Sequence, residues 1–504
     1  GAWQAREALR VTLEAARRAR LTELGVAAAA AEASELPVHR REESPEVFRL
    51  MQFNLLADAL SADGFLCREV LADWPAGHGM VPTASGEAVA FSDLTHEIMS
   101  AKGDGAALAA LKEKYATPSS RKNAEAIVDW RARELQVRLA VLAAGCPDVL
   151  VFQELDHYGS LAAGLAELGY ASQLPDRTAA YRPAHLQGFA SRNDASRKAF
   201  QAHLQETGHA FLPNLGSTAM SIALKRRGLM PGLLQAVKDA NLEAQCVDRE
   251  KGQLRRGLFA GVPGGSEPLL RAAGCEDPAS LDDDGVGVFW RRDRLKAEGL
   301  SAHFNAKGKG VLEVGLKCLA TGRSLALIGA HLSSGGSAGE ETTRVEQEVD
   351  QPEGLAAILR ARREAPGGGA TILSMDANAH PQLVAKDGES SVWRSLRAAA
   401  GASVWDAYFN PRGDEAAAEG AELQAPVTSN KVRGPLSDQP RKIGDHAYCC
   451  IDHVFFDPAA LKFKGHVLPP RQFASDDAAL QAVQPSLSNP SDHYPVVVDF
   501  AWVE

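Results

Sequence analysis

From Val47 to the C-terminus, short apolar runs alternate with amphipathic stretches, and most of the runs end in a cluster of polar residues. The runs predict strands over Val47–Phe53, Val149–Phe152, Val286–Trp290, Leu325–Ala330, Thr371–Met375, Cys450–Phe456 and Val496–Phe500. Helical spacing predicts a helix over Asn123–Ala144, with Ile127, Trp130, Leu135, Leu139 and Leu142 on its apolar face. Two more are predicted from about Tyr158 to Leu168 and from about Gly354 to Arg363. Strands interleaved with helices define an α/β fold.

The first 36 residues have a different pattern, rich in Ala, Arg and Glu, with Leu9, Leu13 and Ala16 on one helical stripe. They predict a helix docked on its own domain, with a partner or membrane surface as the alternative. The charged, proline-bounded segment Pro37–Glu46 is read as a linker. Residues 1–46 are therefore expected to extend a domain spanning 47–504. Two weakly periodic stretches, about 77–120 and 171–283, are expected to be insertions serving as lids, partner surfaces or disordered segments.

Composition narrows the function classes. No apolar run reaches the ~20 residues a membrane-crossing helix needs. The net charge of −10 argues against a surface that tracks a long polyanion, although local basic groups occur at Lys225–Arg227, Arg255-Arg256 and Arg441-Lys442. The seven cysteines are scattered and lack zinc spacing, which suggests a reducing compartment. An intracellular site is expected: cytoplasm, or a mitochondrial or plastid matrix if a transit peptide once preceded Gly1.

The chemistry lies at the strand ends. Asn54 follows the first run, Gln153 and Glu154 the second, and His331 the run Leu325–Ala330. Asp376 and Asn378 follow Thr371–Met375, Asp452 lies inside Cys450–Phe456, and Asp492 and His493 precede the last run. Polar groups delivered in series by a sheet scaffold suggest metal-assisted hydrolysis of a phosphate ester. An isolated Glu154 suits a hard cation such as Mg²⁺ that keeps most of its waters. Asp376, or Asp452 with His493, can serve as the base, while Asn54, Asn378 and His331 can donate to the developing oxyanion charge.

The segments FRLMQFNLLADAL (48–60), PDVLVFQELDHY (147–158), DDGVGVFWRRDRL (283–295), LALIGAHL (325–332), ILSMDANAHP (372–381), CIDHVFF (450–456) and NPSDHYPVVVDF (489–500) resemble the motifs of the endonuclease/exonuclease/phosphatase superfamily, in the same order. Within it the chain is most similar to the deadenylase-like branch, and there to the nocturnin-like enzymes. The resemblance implies a four-layer α/β sandwich, two packed mixed sheets flanked by helices. It implies Mg²⁺, or Mn²⁺ in its place, held by Glu154 with Asp492 and Asn54 close by. It assigns catalytic work to Asn54, His331, Asp376, Asn378, Asp452 and His493, and substrate binding to Arg344, Gln347, Lys431 and Arg433.

The chain departs from that branch at Ser333, where a lysine is usual, and at Ala377, Asn430 and His453. The resemblance implies a Mg²⁺-dependent phosphoesterase on a nucleotide or dinucleotide, first of all the 2′-phosphate of NADP(H). A 3′–5′ exoribonuclease acting on an RNA 3′ end is the alternative, and a scaffold that retains the fold is a second. A protein partner could use residues 1–36 or the insertions.

Overall fold

The computed structural model describes residues 2–26, 38–39, 44–57, 64–66, 80–187, 194–214, 219–243, 247–248, 253–254, 265–281, 284–305, 307–365, 369–388, 390–409, 424–437 and 442–504. Arg255, Arg256, Arg441, Cys67, Cys246, residues 37 and 40–43 of the expected linker, the end of the first motif segment (58–60) and residue 283 at the start of the third lie outside the described residues.

The strands that build the site are β1 (Val47–Asn54), β2 (Val149–Leu155), β3 (Gly285–Arg291), β4 (Leu295–Phe304), β5 (Gly310–Cys318), β6 (Ser324–His331) and β7 (Ala370–Asp376). They are followed by β8 (Ser429–Val432), β9 (His446–Cys449), β10 (Asp452–Phe456), β11 (Leu461–His466) and β12 (Val496–Trp502). One seven-stranded sheet runs β11-β12-β1-β2-β3 and adds the short strands Tyr170–Ala171 and Phe211–Pro213. The other, six-stranded, runs β4-β5-β6-β7-β10 and ends in Ala402–Ser403. Both mix parallel and antiparallel pairs, β1 lying parallel to β2 and β6 parallel to β7.

Period-two alternation decides how the layers stack. In the first sheet Leu50, Val151, Val288 and Val498 point to the second sheet, where they meet Leu312, Val314, Leu327, Ile372 and Val454. Their neighbours Met51, Phe53, Leu150, Phe152 and Phe289 face the opposite way, under helices α5 and α6 described below. A Cβ at Gly329 would come within 2.8 Å of the Val286 side chain, so a glycine allows the sheets this approach.

Among the helices are α1 (Ala2–Glu23), α2 (Phe91–Ala101), α3 (Gly105–Tyr115), α4 (Pro118–Val128), α5 (Trp130–Ala143), α6 (Tyr158–Glu167), α7 (Met230–Asp239), α8 (Ala338–Arg344), α9 (Leu355–Glu364) and α10 (Val392–Ala400). α5 and α6 cover the first sheet, while α9 and α10 cover the second through Leu355, Leu359, Val392 and Leu396. Helix, sheet, sheet, helix is the expected four-layer sandwich.

Four expectations need correction. The helix predicted over Asn123–Ala144 is broken at Asp129, whose ψ of 120° ends α4 and whose side chain caps α5 by accepting from Ala132 N–H. The strand predicted from Cys450 begins at Asp452, because Thr428 Oγ1 accepts the N–H groups of Ile451 and Asp452. The seven apolar runs leave β4, β5, β8, β9 and β11 unmarked, although β4 alternates buried and exposed positions over much of its length. The first insertion is a packed helical unit: Phe91, Leu94 and Ile98 of α2 join Leu108, Leu111 and Tyr115 of α3 in one core with Leu21 and Val26.

The N-terminal helix is docked. Leu13 packs with Leu139, Leu142 and Cys146, and the buried Arg17 guanidinium donates to the Leu487 carbonyl. The second insertion is partly built into the first sheet, since Phe211–Pro213 pairs with Gly285–Gly287. Among the described residues no helix is long and apolar enough to cross a membrane.

Candidate functional site

Register alignment gathers the strand-end residues at one edge of the sandwich. Asn54 at the end of β1 pairs with Gln153 of β2, and His331 at the end of β6 pairs with Asp376 at the end of β7. Asp376 in turn pairs with Asp452, the first residue of β10. The two sheets are joined there by Gln52, whose Nε2 donates to Gln153 Oε1 at 2.7 Å and to Asp452 Oδ1 at 2.8 Å.

Glu154 owes its direction to a bulge. Gln153 and Glu154 occupy β2 where β3 has one residue, between the pairs Phe152–Gly287 and Leu155–Gly285. Glu154 takes φ = 51°, a left-handed conformation that costs a non-glycine residue free energy. Its Oε1 accepts from Asn54 Nδ2 at 3.1 Å and its Oε2 from Ala57 N–H at 3.1 Å. Asn54 Nδ2 also donates to Asp376 Oδ2 at 2.8 Å, so one amide holds two carboxylates.

Asp376 Oδ1 accepts the Asn378 N–H at 2.8 Å, an Asx-turn that leaves Asn378 at φ = 50°. Asn378 Nδ2 then reaches His331 Nε2 at 3.1 Å and the Leu332 carbonyl at 3.0 Å. His331 Nε2 lies 3.6 Å from Asp376 Oδ2 and 3.9 Å from Glu154 Oε1. On the far side, His493 Nδ1 meets Asp452 Oδ2 at 2.7 Å, and its Nε2 lies 3.8 Å from Asp376 Oδ2.

Burial and crowding of like charges shift these groups. Burial, then the Asp492 charge, pushes Glu154 up to about 7 against the pull of Asn54. Burial and Asp452 lift Asp376 to about 6. Burial favours neutral His493, but Asp452 and Asp492 outweigh it and hold the imidazolium up to about 9. Burial would also raise Asp492, yet Lys431 and His493 hold it down to about 2. His331 is pushed well below its ordinary value, by burial first and then by the charge of Lys309.

The residues expected to bind substrate divide. Lys431 forms an ion pair with Asp492, which holds its ammonium above the ordinary value against the effect of burial. Arg433 lies 5.0 Å over the Phe65 ring. Arg344 is 1% exposed, pairs with the buried Glu341, and donates to the carbonyls of Ser333, Ala377 and Asn378. It is turned to the backbone under Asn378, not to open space. Gln347 is exposed on the following π-helical turn and makes none of these contacts.

Sequence reasoning missed the supports. Ser491 Oγ donates to the Asn54 carbonyl at 2.6 Å, pinning the loop that carries Asp492 and His493. Asn430 N–H donates to the Asp492 carbonyl at 3.1 Å, and its buried amide donates to Ala479. Asp284, whose charge also raises Glu154, accepts from Asn214 Nδ2 at 2.7 Å and ties the second insertion to the site. Short polar residues of this kind look like ordinary turn formers in sequence.

Among the described residues two sets offer clustered ligand atoms, each within 4.8 Å of one another: Glu154, His331 and Asp376, and Asp376, Asp452 and His493. In the second set Asp452 and His493 already satisfy each other. In the first, two partly raised buried carboxylates face each other across a neutral imidazole, which fits a hard divalent cation on carboxylate oxygen.

No protein-family model and no curated protein matches the chain. In fold it is similar to the human Nocturnin catalytic domain with bound sulfate, at 15% identity and a TM-score of 0.42, covering 91% of this chain and 94% of that one. It is also similar to ANGEL2, a 2′,3′-cyclic phosphatase, at 12% identity and 0.41, covering 90% of this chain and 95% of that one. TDP2 from D. rerio with a single-stranded DNA product is similar at 13% identity and 0.33, covering 73% and 91%. At these values the chemistry rests on the side chains themselves.

Proposed function

We propose that the chain is a divalent-metal-dependent phosphoesterase that hydrolyses a phosphate ester of a nucleotide. The observation that carries this is Asn54, whose one amide nitrogen bridges the Glu154 and Asp376 carboxylates at the edge where both sheets end. Glu154 and Asp376 would hold the metal, which when bound would supply positive charge to the phosphoryl oxygens and acidify water. Mg²⁺ is the ion proposed, with Mn²⁺ as substitute.

The chain's own groups do the rest. Asp376 takes the proton of the attacking water at Oδ2, the oxygen that faces both histidines. Asp452 fixes His493 through Nδ1 and leaves Nε2 to donate to a phosphoryl oxygen or leaving group. Asn378, held by the Asx-turn, orients His331 toward the same space. Lys431 keeps Asp492 ionised beside the metal position.

For the substrate we propose the 2′-phosphate of NADP(H). The chain's acidity and 6% aromatic content favour a small ligand over an RNA strand that must be tracked and stacked. Incubation with NADP⁺, NADPH and a short oligoadenylate in Mg²⁺ separates the readings. Phosphate from the dinucleotides with the oligomer intact is expected; a shortened oligomer with intact dinucleotides would make the chain an exoribonuclease instead.

A further inference from the structure

The cations around the site are mostly accounted for. Lys431 is paired with Asp492, Arg344 with Glu341, and Arg433 is stacked on Phe65. A phosphate-ester site needs a further positive group free to meet the substrate's charge. The turn between β4 and β5 carries two lysines. Lys307 Nζ lies 3.7 Å from Glu348 Oε1, whereas Lys309 has no ion pair among the described residues.

The register brings Lys309 to the site. Val311 of β5 pairs with Ala330 of β6, so Lys309 stands two positions further toward the end where His331 lies. The turn is fixed there: Asn305 Oδ1 accepts the N–H groups of Lys307 at 3.0 Å and Lys309 at 2.9 Å. Asn305 Nδ2 donates to the buried Glu348 Oε2 at 2.9 Å, and that same oxygen accepts the Ser333 N–H at 3.1 Å. One buried carboxylate thus locks the lysine turn to the segment just after His331. Lys309 is half-buried, and after burial its charge is the first influence felt by the His331 ring.

We propose that Lys309 is a substrate-binding residue of this site, its ammonium meeting a non-bridging phosphate oxygen beside His331. The inference rests on the phosphoesterase reading and adds to it the group that neutralises the substrate. Asn305 and Glu348 are positioning residues that hold the turn in place.

The test uses the full chain in Mg²⁺ and inorganic phosphate as the probe, with binding read by titration calorimetry. Lys309→Ala should weaken phosphate binding ~10-fold or more, the usual scale of a lost charge-assisted contact. Lys309→Arg should restore most of the affinity, and Lys317→Ala, at the other end of β5, should leave it unchanged. With substrate, Lys309→Ala should raise KM more than it lowers kcat. Equal affinity in Lys309→Ala and the parent chain, both folded by circular dichroism, would overturn the inference, as would a parent chain that binds no phosphate. Phosphate binding that depends on Lys309 in a chain that hydrolyses no phosphoester would keep the anion site and remove the phosphoesterase reading.

Discussion

Asp452 and His493 meet through a 2.7 Å hydrogen bond from Nδ1 to Oδ2, both fully interior, with Gln52 of the other sheet donating to the second Asp452 oxygen. The pair fixes the imidazole ring and its charge at the seam between the sheets. Asp452→Asn keeps the shape but removes the anion, so activity should fall ~10²-fold while the fold is kept, the usual scale for loss of an oriented acid–base group. Steady-state rates with circular dichroism check this, and full activity would remove the pair from the mechanism.

The backbone at Glu154 separates function from stability. At φ = 51° a glycine is comfortable and an alanine is not. Glu154→Ala and Glu154→Gly should both abolish metal-dependent hydrolysis, yet the glycine variant should be the more stable by about 1 kcal/mol. Paired denaturant unfolding curves measure the difference, and the reverse order would show that the bulge is not strained.

How much of this was legible in the sequence follows from which interactions are local. The apolar runs mark most strands of the sandwich, because a buried strand must be apolar whatever it pairs with. Asn54, Glu154, His331, Asp376 and His493 are legible because each stands at or beside the end of such a run, and Asp452 because it is a carboxylate inside one. The Glu154 bulge is not, since it depends on β3 offering one residue against two. The buried pairing of Arg344 with Glu341, three residues earlier, is not legible either, since nothing local shows that both are interior. The first insertion was undervalued because its core draws on α1, far away in the sequence.

The Arg344–Glu341 pair makes a sharp prediction. Its removal leaves the fully buried Glu341 carboxylate uncompensated, although Glu341 also accepts the Val392 N–H at 2.7 Å. Arg344→Ala should cost about 3 kcal/mol or more of stability. Urea unfolding reads it. A variant of parental stability with only KM raised would return Arg344 to the substrate-binding set.

Acid should loosen the second insertion. His185 is buried with Nε2 against the Leu281 carbonyl and Nδ1 2.6 Å from Ser266 Oγ, the geometry of a neutral ring with its proton on Nε2. Burial lowers it to about 4. A folded-state value below the unfolded one gives stability that is complete above about 6.5 and lost as pH falls toward 4. Limited proteolysis from pH 7 to pH 4.5 should show cleavage within 171–283 rising as the pH falls. Cleavage there that is the same at both ends of the range would contradict this.

The central claim is that a metal held at Glu154 drives phosphate-ester hydrolysis. Phosphate release from NADP⁺ is measured with Mg²⁺, with excess EDTA, and with Glu154→Ala in Mg²⁺. The account predicts release in the first condition alone, returning when Mg²⁺ is added back to the EDTA sample. Release that persists in EDTA, or in the folded Glu154→Ala chain, would contradict it.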